Sequence, residues 1–152
     1  MGDNPRWPKK LRDRRARADV ANRFIQAISE HGRRFFHYEG CVSYFEVDYR
    51  GRVWYVDSWK GKRIYTHQNG GWGRHFHHGG TLLDLCKRLR EFIMGREPLP
   101  LRFIGPWPDD YCGGDLWGYG KDEMEAVRRK CLVCEREFEV VERRDGWKNE
   151  CG

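Results

Sequence analysis

Long apolar runs are missing from this sequence, and so are the common motifs of catalysis. No stretch approaches the roughly 18 apolar residues that a membrane-spanning helix needs, and the basic N-terminus lacks the apolar segment of a secretory signal. The sequence also has no G-x-S-x-G elbow, no P-loop and no H-E-x-x-H zinc motif. We therefore expect a non-enzymatic protein that works in the cytoplasm and has no membrane partner.

Disulfides are rare in the cytoplasm, so the six cysteines are interpreted as thiols or metal ligands. Cys131-x2-Cys134, followed by a predicted apolar hairpin, has the form of a zinc knuckle, in which two thiolates on a tight turn hold a tetrahedral ion. Cys151 lies at a usual distance for the returning ligand. Cys112 is the first candidate for the fourth ligand, and a histidine is the next. The prediction is a structural Zn²⁺ site, and the alternative is a pair of incidental thiols.

Positive charge is unevenly distributed along the chain. The formal net charge is +6, and most of the excess falls in the first 18 residues, where Lys and Arg side chains are opposed only by Asp3 and Asp13. A basic arm on a near-neutral body predicts an anionic partner, with nucleic acid as the first candidate. The alternative is a solvated tail that aids solubility. The residues expected to neutralise phosphates are Lys9, Lys10, Arg12, Arg14, Arg15 and Arg17.

Helical periodicity occurs in three parts of the body. Asp19 fits the N-cap of a first helix. Thr81 and Asp84 form the capping-box pattern of a second helix, whose apolar stripe includes Cys86 and which ends at Gly95. The third begins with acidic residues and ends with basic ones, as the helix dipole favours. The predicted helices span residues 19–31, 81–94 and 121–130.

Period-two alternation predicts an antiparallel sheet between the first two helices. Phe45 and Val47 alternate with polar residues, and turn signals follow at Arg50-Gly51 and at Lys60-Gly61-Lys62. Cys41 lies in a strand-like apolar setting and is interpreted as a core residue. The predicted strands cover residues 44–49, 53–58 and 63–67, with a short fourth strand at 74–77.

Together these elements predict an α+β fold, a three- to four-stranded antiparallel sheet packed by helices, with a small C-terminal cysteine module. We divide the chain into a basic arm at residues 1–18 and an α+β domain at 19–120 that ends in a wrap rich in Pro, Gly and aromatic residues. A helix and the cysteine knuckle follow at 121–152.

The predicted sheet and the helix after it offer further contact residues. Lys and Arg at hairpin turns suit a phosphate backbone, and tryptophans can stack on exposed bases. The alternative is purely structural: a sheet with one face covered by helices explains most of the aromatic and β-branched residues in these strands. Free N–H groups at the start of the second helix favour an anion, and the alternative there is a tight turn. The predicted residues are Lys60, Lys62 and Arg63 for phosphates, Trp54, Trp59 and Trp72 for stacking or a protein partner, and Gly79, Gly80 and Thr81 for an anion.

Three segments, "GRVWYVDSWKGKRIYTH", "HHGGTL" and "DLWGYG", resemble a family of small tailed-bacteriophage accessory proteins of unknown function. The resemblance covers roughly residues 20–130. It implies a phage gene product that acts inside an infected bacterium, commonly in host takeover or anti-defence, and it implies no catalytic residues. The order helix, three strands, helix is also similar to that of a double-stranded-RNA-binding domain, which is a likeness of topology alone.

Two binding functions fit these residues. The protein either binds nucleic acid through the basic arm and the sheet-edge cations, or it inhibits a host protein or a nucleic-acid-guided defence complex. Exposed tryptophans and arginines suit the second function as well, because they are the usual hot-spot residues of protein interfaces. The partner, the choice between DNA and RNA, and the oligomeric state are not indicated by the sequence.

Overall fold

Three α-helices, two small antiparallel sheets and a 3₁₀ turn are seen in the computed structural model, which describes residues 8–31, 36–59, 61–67, 80–104 and 121–151. This confirms the predicted α+β class. None of the helices in these ranges is long and apolar enough to cross a membrane. The elements are α1 (Lys9–Glu30), β1 (His37–Tyr38), β2 (Cys41–Val42), β3 (Tyr44–Val47), β4 (Val53–Val56), β5 (Arg63–Tyr65), α2 (Gly80–Ile93), the 3₁₀ turn (Leu101–Ile104) and α3 (Lys121–Cys151).

The predicted three-stranded meander is confirmed, with strands somewhat shorter than expected. The order is β3-β4-β5, and the register places Phe45, Tyr55 and Ile64 in one row across the sheet. All three are at most 2% exposed, so this row is the inner face that packs on the helices. The predicted fourth strand at residues 74–77 lies outside the described residues.

Helix α1 begins at Lys9, so the predicted start at Asp19 is wrong. Leu11 and Ala18 are buried in the hydrophobic core together with Ile25, and this seven-residue spacing keeps all three on one helix face. Asp19 is an exposed residue inside the helix. Residues 9–18, predicted as part of a separate arm, therefore form the first half of a helix that packs on the body.

Helix α1 also covers the free edge of the sheet. Asn22 pairs with the backbone of the edge strand β3, donating from Nδ2 to the Phe45 carbonyl at 2.9 Å and accepting from the Phe45 N–H at 2.6 Å. About two helical turns earlier, Arg15 donates to the Val47 carbonyl at 3.3 Å and Arg14 to the Gly51 carbonyl at 2.8 Å. Side chains thus replace the missing neighbouring strand and prevent edge-to-edge pairing.

The turn between β3 and β4 is organised around Asp48. Its carboxylate accepts hydrogen bonds from the backbone of Arg50 and Arg52 and from the side chains of Arg52 and Trp54, all at 2.9–3.0 Å. Partial burial raises the pKa of Asp48, but the hydrogen bonds from Trp54, Arg52 and Arg50 outweigh it and lower the pKa to about 2. Gly51 has φ +80°, as the predicted turn requires.

Helix α2 matches its prediction to within one residue at each end. Its apolar stripe, including Cys86, is buried in the core, and burial raises the pKa of the Cys86 thiol well above its ordinary value. Gly95 ends the helix at φ +78°, where the Arg96 N–H donates to the Glu91 carbonyl and the Gly95 N–H to that of Phe92. This Schellman motif turns the chain so that Arg96 follows directly on the last helical turn.

Two predictions about cysteines are contradicted by the fold. Cys41 is exposed, because β1 and β2 form a short hairpin outside the core that period-two reasoning did not predict. The tight turn and apolar hairpin expected after Cys131 are replaced by helix, since α3 continues through Cys134 to Cys151. Along a continuous helix, 17 residues separate Cys134 from Cys151 by about 26 Å, so the described backbone does not bring them to one ion.

The zinc site itself stays a prediction. Cys112 lies outside the described residues, and in the described ranges no group of three or more His, Cys, Asp or Glu residues is arranged to hold a metal ion. Cys131 is 1% exposed and belongs to the core, following Met124 and Val127 at helical spacing. Positions three apart are neighbours on a helix, so the Cys-x-x-Cys spacing is compatible with a helix as well as with a metal site.

Candidate nucleic-acid interface

The basic segment presents some of its charges to solvent and uses the others to hold the fold. Lys9, Lys10 and Arg12 are exposed on the first turn of α1. Lys9 is 3.3 Å from Asp13, an exposed pair that contributes little. Arg14 and Arg15, by contrast, donate to carbonyls of the β3–β4 turn and of β3, as described above. The six predicted phosphate-binding residues thus fall into an exposed group and a group turned towards the body.

Arg17 also lies against the body, beside the end of α2. A Cβ atom added at Gly95 would be 3.2 Å from Arg17 Nη1, so the missing side chain allows this close approach. Arg17 is half-buried, and Arg96 is the next residue after Gly95. The first half of α1 therefore meets the C-terminal end of α2.

Cations from three distant segments meet at this end of the molecule. Besides the exposed residues of α1, they come from the β3–β4 turn, which Arg14 contacts through Gly51, and from the last turns of α2. Carboxylates here are Asp13, Asp48 and Glu91. We name this region the basic end, formed by Lys9, Lys10, Arg12, Arg14, Arg17, Arg50, Arg52, Arg90 and Arg96.

The hairpin cations lie at the opposite end of the sheet. Lys62 is exposed in the β4–β5 turn, a strand length of about 13 Å from the β3–β4 turn. Arg63 makes a cation–π contact and a salt bridge, with its guanidinium 4.3 Å from the centre of the Trp54 ring and 3.4 Å from the Glu46 carboxylate. Lys60 lies outside the described residues. Lys62 and Arg63 therefore do not form one continuous positive surface with the cations of α1.

The predicted stacking residues differ in their exposure. Trp54 is half-buried, packs on Tyr65 at 4.9 Å between ring centres and donates from Nε1 to Asp48 at 3.0 Å. Trp59 is 46% exposed and packs on Tyr38 at 4.4 Å between ring centres. Trp72 lies outside the described residues. We name the pair Tyr38–Trp59, with exposed Tyr44 on the adjoining strand β3, the aromatic tip.

The predicted anion site at the start of α2 is described only in part. The helix begins at Gly80, and the backbone of Thr81 is helical. Gly79 lies outside the described residues, as do the histidines at positions 75, 77 and 78. The role of these residues stays a prediction.

Sequence reasoning missed a cluster at the basic end around His67. The Val53 N–H donates to His67 Nε2 at 2.9 Å, and Arg90 Nη2 lies 3.0 Å from His67 Nδ1. Arg90 is 9% exposed, and its other contacts are with Thr66 Oγ1 at 3.3 Å and Glu91 at 3.0 Å. No sequence signal pointed to these residues, because they come from the end of β5 and from the polar side of a helix.

The surroundings of His67 favour its neutral form. Burial lowers the pKa of His67 from 6.5, and the positive charges of Arg90, Arg14 and Arg96 lower it further. The folded state therefore resists protonation more than the unfolded chain does. Its contribution to stability is complete above pH 6.5 and is lost as the pH falls through the lowered pKa of the folded protein.

We expect the free energy of unfolding to fall as the pH is lowered from about 7.5 to about 5, and His67 to supply a resolvable part of the loss. The measurement is urea unfolding at several pH values, for the protein and for His67→Gln. Glutamine can still accept from the Val53 N–H but does not titrate, so its pH dependence should be flatter. His37→Gln is the control and should keep the steeper dependence; equal slopes in all three proteins would contradict this assignment.

The comparisons with known proteins give one match. A model of the family described as YoqU matches residues 12–144 of the chain. The matched range extends on both sides of the residues for which a resemblance was noted, and it includes most of α1 and of α3. No match was found among curated proteins or among solved structures.

Proposed function

The chain belongs to the YoqU family, and on this premise we propose that it is a phage-encoded, non-enzymatic protein that binds nucleic acid through the basic end in the cytoplasm of an infected bacterium. The family match supports the phage association. The choice of nucleic acid rests on the cations described above.

The observation that carries the proposal is the presentation of Lys9, Lys10 and Arg12 on an anchored helix. Arg15 and Arg14 fix the first half of α1 to carbonyls of β3 and of the β3–β4 turn, so the backbone that carries the exposed cations is already ordered. Binding a phosphate backbone therefore costs the conformational entropy of these side chains but not that of the backbone that carries them. Arg50 on the neighbouring turn is also exposed and extends the positive surface.

The test is the salt dependence of binding. Fluorescence anisotropy with labelled single- and double-stranded DNA and RNA should give a linear fall of log K with log salt, with a slope of about −3 to −4 for three or four exposed phosphate contacts on duplex DNA. The nucleic acid that is bound with the highest affinity identifies the class of ligand. An absence of binding to all four at low salt would contradict the proposal.

The aromatic tip supports a second candidate function, inhibition of a host protein or a nucleic-acid-guided defence complex. Tyr38, Tyr44 and Trp59 are 37%, 44% and 46% exposed, and Trp and Tyr are enriched among the hot-spot residues of protein interfaces. A pull-down from nuclease-treated host lysate tests it. A single stoichiometric protein that is retained at high salt and lost with Trp59→Ala would favour inhibition, whereas retention of nothing but nuclease-sensitive material favours the basic end.

A further inference from the structure

His67 lies between two hydrogen-bond donors, the Val53 N–H and Arg90. A neutral imidazole has one N–H and one acceptor nitrogen. Both ring nitrogens of His67 face donors, the Val53 N–H at 2.9 Å and Arg90 Nη2 at 3.0 Å. Whichever nitrogen carries the proton, one of the two contacts has no acceptor, and a protonated ring would leave both without one.

The backbone contact decides which nitrogen accepts. Val53 lies within strand β4 and its N–H cannot turn away, so His67 Nε2 is the acceptor and Nδ1 carries the proton. The Nδ1–H and an N–H of Arg90 Nη2 then face each other across 3.0 Å, and neither group can accept from the other. Two adjacent donors of this kind are satisfied together by one oxygen-rich anion.

Three more arginines lie at this end of the molecule. Arg96 shares the Glu91 carboxylate with Arg90, at 3.4 and 3.0 Å. Arg14 donates to the Gly51 carbonyl, two residues from Val53, and the Arg17 guanidinium lies close to Gly95, next to Arg96. Burial lowers the pKa of Arg14, and the charges of Arg96, Arg90 and Arg17 lower it further. Like charges gathered in this way repel one another, and a bound anion would offset that repulsion.

We propose that His67 Nδ1–H and Arg90 form the centre of a binding site for one phosphate group, with Arg14, Arg17 and Arg96 around it. Guanidinium groups match the geometry of phosphate oxygens, and five positively charged or N–H-donating side chains suit its negative charge. This inference rests on the proposed function in one respect, because nucleic acid would supply the phosphate. The shared chemistry is a phosphate oxyanion, carried by a backbone phosphodiester, a terminal phosphate or the free ion.

The test follows the imidazole of His67 by NMR in the full chain labelled with ¹⁵N-histidine. Three ligands are titrated: inorganic phosphate, an oligonucleotide with a 5′-phosphate, and the same oligonucleotide with a 5′-hydroxyl. We expect a saturable shift of the His67 Nδ1 resonance with inorganic phosphate. A shift with both oligonucleotides identifies a backbone phosphate, a shift with the 5′-phosphorylated one alone identifies a terminal phosphate, and a shift with inorganic phosphate alone identifies the free ion; all three support the site.

Arg96→Gln and Arg102→Gln form a matched pair for the same titration. Both arginines are exposed and lose one charge, but only Arg96 belongs to the cluster. Arg96→Gln should weaken phosphate binding about fivefold, the effect of one lost charge-assisted contact, while Arg102→Gln should leave it within about twofold. Equal effects of the two substitutions would overturn the proposal.

The remaining outcomes separate this inference from the proposed function. If the oligonucleotides bind by anisotropy but no ligand shifts His67, the phosphate site is overturned and nucleic-acid binding through the exposed cations stands. If inorganic phosphate shifts His67 and no nucleic acid binds, the site stands and the proposed function fails.

Discussion

Replacing Lys9, Lys10 and Arg12 together by alanine should lower the affinity for nucleic acid by about 10²-fold and leave the fold intact. Each is exposed on the first turn of α1, and each lost phosphate contact costs about 1 kcal/mol, which together correspond to two orders of magnitude. The salt slope should become shallower by about 3. Anisotropy at several salt concentrations measures both quantities, and thermal unfolding checks the fold.

This variant tests the interface more specifically than one that removes all six cations predicted for the basic arm. Arg14 and Arg15 hold β3 and the β3–β4 turn, so their removal would damage the domain and the binding surface together. A matched control with the same charge change is Lys87, Arg102 and Arg129 to alanine, three exposed residues outside the basic end.

The control variant should keep its affinity within about threefold, because exposed charges far from the ligand are screened. If both triple variants lose affinity equally, the binding reflects net charge alone and the basic end is not the interface. If neither loses affinity, the proposed role of α1 is wrong.

The parts of the fold that could be predicted are those in which local periodicity and turn residues agree. Phe45 and Val47 alternate with polar residues, and Gly51 follows at a turn that requires positive φ. For α2, the apolar stripe ends at Gly95, which the Schellman motif also requires. In each of these elements the burial pattern and the end signal are local, so the sequence alone predicted it.

The parts that were missed depend on what the chain packs against. In the first half of α1, Leu11 and Ala18 are too widely spaced among Lys and Arg to indicate a buried helix, and the sheet edge that they cover is far away in sequence. In α3, Cys131 and Cys134 have metal-ligand spacing, and the same spacing also fits one face of a helix. Composition did not indicate that residues 9–18 continue into the first helix or that residues 131–151 are helical, whereas the zinc site stays a prediction.

The residues of the basic end could also be predicted only in part. Its exposed cations Lys9, Lys10 and Arg12 were predicted from charge density alone. His67, Arg90 and Arg96 could not be, because the end of β5 and the end of α2 meet only in the folded chain. Lys62 and Arg63 were correctly placed at the β4–β5 turn, but the sheet separates them from the cations of α1.

Asn22→Ala should destabilise the domain by about 2–4 kcal/mol and lower Tm by about 10 °C. Asn22 is the residue through which α1 imitates a neighbouring strand, since its amide satisfies both the N–H and the carbonyl of Phe45. Alanine leaves two backbone groups of a partly buried edge strand unpaired, each costing about 1–3 kcal/mol. Urea and thermal unfolding at neutral pH measure the loss.

Two companion variants separate the edge contact from a general effect on the helix. Gln26 lies one helical turn after Asn22, and its side chain donates to Glu30 at the exposed surface. Gln26→Ala should therefore change the free energy of unfolding by no more than about 0.5 kcal/mol. Asn22→Asp keeps the acceptor for the Phe45 N–H but places a carboxylate against the Phe45 carbonyl, so at neutral pH it should resemble the alanine variant. Protonation restores a donor, and the stability difference between Asn22→Asp and the unsubstituted protein should narrow below about pH 4. A difference that does not change with pH, or an Asn22→Ala variant as stable as Gln26→Ala, would mean that β3 does not depend on α1 for its edge.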